Sequence, residues 1–381
     1  MDFALSEEQL LLAKEVARFA AEQLTGDEIA RDHAGSFPRD LWERAGEMRL
    51  QGLLVPEQHG GAGLDPLSCA IALEALGYGC KDGGLVFAIC AHLLACVVPI
   101  TRHGTDEQKR RLLPGLSNGR LIAVNGMTEP ASGSDAFGME MRAEASGEGF
   151  VLNGTKTFAS NGPIADLAVV YAVTRPGKAM GGITAFLVER GTAGFKPGQE
   201  FDKLGLRSCP IGELVFEDCY VGPGAVLGGV GAGATIFSES MAWERICLVA
   251  SHVGTMQRLL EQALDHARTR TSFGKPIGKH QAVSHRIADM HVRLEAARLL
   301  VYRSAWRLDR SRDVALDAAT TKLFTSEALL QGAIDTIRTL GGNGFMREYE
   351  AERALRDAIG GTLYSGTNDM QREIIVRWLG L

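Results

Sequence analysis

Two side chains in this sequence could do acid–base chemistry, and they stand in different surroundings. Ser365 lies in "LYSGTNDMQREII", Leu363 to Ile375, where a Ser-Gly-Thr turn leads into a helix. The free N–H groups of such a turn and of a helix N-terminus form a cradle for anionic or electron-rich atoms. Ser365 is the reactive side chain beside the glycine, yet no neighbouring feature supplies the base that a hydroxyl needs. Glu244 lies in "TIFSESMAWERICLVASHVG", residues 235–254. Phe237, Met241, Glu244 and Leu248 are spaced four, three and four apart, which predicts one row of a helix. Burial in an apolar row raises a carboxyl pKa toward the working pH of a general base. The same spacing also fits a glutamate paired with arginine at a helix surface, and the pattern leaves both readings open.

Other chemistries find little support. The nine histidines include no H-x-x-x-H and join no Cys/His cluster, so no metal site is expected. "GGVGAGA" lacks the G-x-G-x-x-G spacing and has no βαβ alternation around it, so it reads as a linker. "SGSD", 132–135, fails G-x-S-x-G. "QKRR", 108–111, reads as a solvated face, with docking of an acidic partner as the second reading. A net charge of −6 argues against broad nucleic-acid binding. Seven cysteines, without a C-x-x-C pair, read as reduced and mostly buried thiols. With no basic or apolar leader in "MDFALSEEQL", a cytoplasmic location is expected.

The elements that must position these residues fall into three blocks. Residues 1–120 read as a helical domain. Within it, Ser6 and Gln9 resemble a capping box. "GLVFAICAHLLACVVPI", 84–100, reads as a buried helix that is slightly short for a bilayer. Pro114 and Gly115 are expected to close a short amphipathic helix. Residues 121–232 read as a β-domain, with Asn153-Gly154 expected to form a hairpin turn. Residues 233–381 read as a helical domain with long segments near 235–268, 280–310 and 313–340. The fold class is α+β, in the order α, β, α.

Four stretches narrow the reading: "MTEPASGSD" (127–135), "KTFASNG" (156–162), "RTSFGKPIGKHQ" (270–281) and "TLGGNGF…EYEAERALRDA…LYSGTNDMQREII" (339–375). In these the chain resembles the acyl-CoA dehydrogenase family of flavoenzymes along nearly its whole length. The resemblance implies an N-terminal helical domain, a middle β-domain, a C-terminal four-helix bundle and a bound FAD. It implies that Thr128 and Ser134 lie beside the flavin, with Ser134 also at the substrate, and that Phe158 and Ser160 pack on the ring and hydrogen-bond it. Arg270, Phe273 and Gln281 match residues that reach the cofactor from a neighbouring subunit, so a homo-oligomer is expected, as a tetramer by analogy. Gly341 and Gly342 match a backbone approach to the cofactor, and Thr367 and Asp369 match the mouth of the last helix where FAD binds.

Two departures matter. Arg338 stands where the family usually has Gln before "LGG", and Ser365 stands where many members carry the catalytic Glu. A subset of the family, including isovaleryl-CoA and long-chain acyl-CoA dehydrogenases, places its base on the earlier helix in a Glu-Arg pair, which Glu244-Arg245 matches. The resemblance thus assigns the base to Glu244 and substrate binding to Arg245, and the backbone N–H of Ser365 is expected to donate to the thioester oxygen as charge develops there.

Three further stretches, "CAHLLACVVPITRHG", "SMAWERICL" and "YSGTNDMQREIIVRWLGL", resemble the branch that oxidises L-proline on a peptidyl carrier protein to a pyrrole-2-carboxyl thioester. Met241 and Trp243 are expected to narrow its pocket. That branch implies a carrier-bound substrate; the expected acceptor is an electron-transferring flavoprotein or oxygen, which the sequence does not distinguish. The alternatives are a short- or branched-chain acyl-CoA dehydrogenase and an inactive flavin-fold binding protein.

Overall fold

The computed structural model describes residues 4–311 and 313–381. Residues 1–3, within the expected first domain, lie outside the described residues, as does Arg312. The first helix, Glu7–Gln23, begins with the expected capping box: Ser6 Oγ accepts from Gln9 N–H, and the Gln9 side chain accepts from Ser6 N–H. The apolar stretch forms a continuous helical run, Gly83–His103, long and apolar enough to cross a membrane. It is almost wholly buried inside the protein and serves as its central strut. A π-helical turn, Leu93–Val97, interrupts it. The helix Asp106–Ser117 continues through Pro114 rather than closing there. Gln108 of the "QKRR" run is buried, and its amide donates to the carbonyls of Gly224 and Val226. Arg111 pairs with Glu189.

The sheet contains β1 (Ala123–Gly126), β2 (Arg142–Ser146), β3 (Gly149–Ser160), β4 (Leu167–Val173), β5 (Ile183–Glu189), β6 (Phe195–Glu200), β7 (Ile211–Val221) and β8 (Val226–Leu227). Their order is β6-β7-β3-β2-β4-β5-β8, with β1 parallel to β4. The expected hairpin turn at Asn153-Gly154 is corrected: both residues lie inside β3, at a bulge opposite β7. The Asn153 carboxamide instead spans the strands, accepting from Asp218 N–H and donating to Asp218 Oδ1. Gly154 takes φ +147, and a Cβ there would meet the Met141 side chain at 2.8 Å. The real turn joins β2 to β3 across Gly147 and Glu148.

Alternation along β4 divides the interior in two. Leu167, Val169 and Tyr171 join a large core shared with the helices, while Ala168, Val170 and Ala172 join a smaller core on the opposite face. The large core runs without a break from the N-terminal helices into the C-terminal ones. Pro66–Gly79 crosses Val249–Thr269 where Gly77 and Gly254 meet, and a Cβ on Gly254 would lie 2.0 Å from the Glu74 carbonyl oxygen. Gln281–Leu308 and Ala315–Leu340 complete the long helices, followed by Glu350–Gly361 and Asn368–Trp378.

Candidate active site

Between the sheet, the buried strut and the C-terminal helices lies a cavity of about 690 Å³, within the usual size range of small-molecule sites. Glu244 lines it, together with Phe237 and Met241 from the preceding helix Gly233–Trp243. Leu248 does not join that row. Glu244–Leu248 forms a π-helical turn, whose extra residue rotates Leu248 away to a small neighbouring cavity behind Tyr364. Trp243 also faces elsewhere: the Arg102 guanidinium sits 5.7 Å from its ring, so only Met241 of the expected pair narrows the cavity. Two small residues of the strut, Ala91 and Ala95, leave room opposite.

Glu244 is 8 % exposed. Burial raises its carboxyl pKa from the ordinary 4.5 to about 7, while the Arg245 charge and the Ser365 hydroxyl draw it back down. Arg245 Nε donates to the Ser365 carbonyl at 3.0 Å, so the residue beside the acid also holds the late turn. Ser365 adopts a left-handed backbone, φ 55. Its N–H and that of Gly366 have no partner among the described residues. The turn is fixed from behind, where Tyr364 Oη lies 2.6 Å from His252 Nε2 and its ring packs 4.6 Å from Phe87. Gln371 Nε2 donates to the Gly366 carbonyl at 2.8 Å.

The residues singled out from sequence fall into two groups. Thr128, Ser134, Phe158, Ser160, Arg245, Ser365 and Thr367 line the cavity with Glu244. The Thr128, Ser134 and Ser160 hydroxyls have no protein partner among the described residues. Phe158, Leu204 and Leu363 line the cavity yet are 67 %, 58 % and 61 % exposed. A flat aromatic group with polar edges fits such a wall, because it would cover the apolar faces and pair the free hydroxyls.

Arg270, Phe273, Gln281, Gly341 and Gly342 lie outside this cavity, all exposed. Phe273 is 94 % exposed. Arg286 Nη1 lies 3.5 Å from Thr339 Oγ1, bringing the start of Gln281–Leu308 beside the end of Ala315–Leu340. Among the described residues, nothing within 4 Å would meet a Cβ on Gly341 or Gly342. Thr367 caps the last helix by accepting from Met370 N–H. Asp369 points out of the cavity and pairs with Arg372 at 3.3 Å. Arg338, the departure before "LGG", is also largely exposed, 3.8 Å from Asp335.

Sequence reasoning missed Asn125, the Phe201–Leu206 loop and the His252–Tyr364 prop. The pair of alanines four apart in the apolar helix was the available signal for the open space opposite Glu244.

Comparison with known proteins covers the whole chain. Residues 6–120, 125–219 and 231–380 match, in order, the N-terminal, middle and C-terminal domains of acyl-CoA dehydrogenase. An L-prolyl-[peptidyl-carrier protein] dehydrogenase of Pseudomonas fluorescens is 47 % identical over 100 % of both chains. The solved structure of PigA with FAD and proline superposes with a TM-score of 0.98 at 42 % identity, covering 100 % of both chains. The prolyl acyl carrier protein oxidase AnaB superposes with a TM-score of 0.97 at 40 % identity, covering 99 % of this chain and 100 % of its own.

Proposed function

Because the chain belongs to the acyl-CoA dehydrogenase family, we propose that it is an FAD-dependent oxidoreductase acting on CH–CH bonds, with L-prolyl-[peptidyl carrier protein] as substrate. The product is a pyrrole-2-carboxyl thioester. Four hydrogens leave in two oxidations of two electrons each, passed onward to an electron-transferring flavoprotein or oxygen. The names of the similar proteins support the substrate. One observation carries the chemistry: a carboxylate, Glu244, buried in an apolar cavity with its pKa raised to about 7.

FAD, when bound against Phe158, supplies the acceptor for the hydride that leaves Cβ. Glu244 takes the proton from Cα, which the thioester acidifies. The free N–H of Ser365 donates to the thioester oxygen as negative charge builds there. Arg245 holds that N–H in place through the Ser365 carbonyl and keeps Glu244 ionisable near neutral pH. Apolar walls at Phe237, Met241, Ala91 and Ala95 exclude water from the base. The exposed group at Arg270, Phe273 and Gln281 completes the cofactor site of a second copy, in a homo-oligomer, with Arg270 as a phosphate partner.

The test presents prolyl-loaded carrier protein and, separately, isovaleryl- and butyryl-CoA to the FAD-loaded enzyme and follows product mass. Loss of four hydrogens on the carrier supports the reading. Turnover of free CoA esters alone overturns it.

A further inference from the structure

One polar group in the cavity has no part in that chemistry. Asn125 lies in β1, aligned with Val169 of β4, and lines the cavity. Side chains alternate across the sheet, so Asn125 shares its face with Ala123, Leu167, Val169 and Tyr171, which belong to the large core. On this face Asn125 is a carboxamide among hydrocarbon and aromatic neighbours. Its Oδ1 is buried and accepts no hydrogen bond among the described residues. A buried acceptor without a donor is costly, so in a native protein such a group is paired by water, an ion or a bound molecule, and Asn125 stands where the cavity admits a bound molecule. The wall it stands on is continuous with that of the base: the Tyr171 ring packs 5.5 Å from Phe237, which lines the cavity with Met241 and Glu244.

We propose that Asn125 is a specificity-determining residue whose side-chain oxygen accepts a hydrogen bond from the N–H of the substrate's ring nitrogen. The inference rests on the prolyl reading above and deepens it. In a prolyl thioester the nitrogen is bonded to the carbon that Glu244 deprotonates, so a site for the Cα–H has the N–H within the same small space. A hydrocarbon acyl group has only carbon there and leaves Oδ1 unpaired. Sites built to pair a polar hydrogen reject analogues that lack it far more strongly than apolar pockets reject an added methylene. Asn125 therefore selects nitrogen-bearing five-membered rings over their carbocyclic equivalents.

The experiment compares wild type and Asn125→Val on two carrier-protein thioesters, L-prolyl and cyclopentanecarbonyl, at saturating FAD. Asn125→Val is expected to lower kcat/KM for the prolyl thioester by about 100-fold or more, while the cyclopentanecarbonyl thioester is used equally well or better. Flavin absorbance and melting temperature are expected to stay unchanged. Should Asn125→Val fold poorly, Asn125→Ala gives the same ratio of substrates. Asn125→Asp, which keeps an acceptor, is expected to restore most of the preference. An equal loss on both thioesters, or no loss on either, overturns the role of Asn125 and leaves the prolyl reading standing. A wild type that oxidises no prolyl thioester overturns both.

Discussion

Glu129 and Glu244 are buried to nearly the same degree, 6 % and 8 % exposed, and yet the donors around them differ sharply. Glu129 spends its oxygens on three donors: Lys156 Nζ at 2.7 Å, Glu140 N–H at 2.6 Å and Met141 N–H at 3.0 Å. Lys156 is itself wholly buried and also donates to the Met127 carbonyl at 3.1 Å. That cluster ties the loop carrying Thr128 and Ser134 to β3, and every charge in it is paired. Among the described residues, Glu244 has only the Arg245 charge and the Ser365 hydroxyl against its burial, and burial dominates. A buried carboxylate with its donors supplied is a structural tie, whereas one left short of donors can exchange a proton near neutral pH. Burial alone does not separate these roles; the supply of donors does.

The largest effect is expected from Glu244→Gln, which keeps the shape and removes the proposed base. Flavin reduction by substrate is expected to fall by at least ~10³-fold, with FAD still bound; stopped-flow absorbance reads both. In the wild type the reductive rate is expected to rise with pH through about 7, as Glu244 ionises. Stability has the opposite sign. The folded chain keeps the Glu244 proton up to about pH 7, while the unfolded chain releases it near 4.5, so the cofactor-free protein loses stability between those values. In Glu244→Gln that decline is expected to flatten. Retained flavin reduction would place the base elsewhere and end the contrast with Glu129.

Lys156→Met attacks the other side of the comparison. It leaves Glu129 buried without its counter-charge, and breaking such a pair by removing one partner costs about 3–5 kcal/mol. The measurement is urea or thermal unfolding. Enzyme that remains folded is expected to keep its flavin-reduction pH profile. An unchanged melting temperature would show that the Glu129 cluster is not a structural tie.

How much of this was legible follows from what leaves a periodic trace. The α, β, α order was legible because helical and alternating apolar patterns extend over many residues. Asn153-Gly154 misled because the dipeptide serves a bulge as readily as a turn, and the choice depends on Asp218, sixty-five positions away. Phe237, Met241 and Glu244 were legible by helical spacing, and Leu248 was not, because the π-turn adds a residue that a 3.6-residue period does not contain. Asn125 sits in a strand of four residues, too short for any period to mark its face. The His252–Tyr364 prop joins residues 112 apart and has no local signature. Arg270, Phe273 and Gln281 lie outside the cavity of this chain, and the cofactor role proposed for them requires a second copy.

Arg245→Met sharpens the contrast by taking away one of the two groups that oppose burial. Without the guanidinium, Glu244 holds its proton more tightly, so the pH midpoint of flavin reduction is expected to move above 7. The same change releases the Ser365 carbonyl, which loosens the turn proposed to hold the oxyanion. The rate is therefore expected to fall by roughly tenfold to 100-fold near pH 7 and to recover in part at higher pH. A loss with no shift of midpoint would limit Arg245 to holding the turn.

The smallest effect is expected from Ser365→Ala, and it is the most discriminating. The hydroxyl opposes the upward shift of Glu244, so its removal is expected to raise the pH midpoint slightly, with about a twofold loss near pH 7 and none on the alkaline side. The backbone N–H proposed to meet the thioester oxygen is untouched by this substitution. Ser365→Gly keeps that N–H too, and it suits the left-handed backbone, φ 55, without a Cβ. Its pH profile is therefore expected to match that of Ser365→Ala, while its stability is no lower. If instead Ser365→Ala abolished flavin reduction at every pH, the serine hydroxyl would be the proton-transfer group. Glu244 would then join Glu129 as a buried structural acid, and the distinction drawn from their donors would fail.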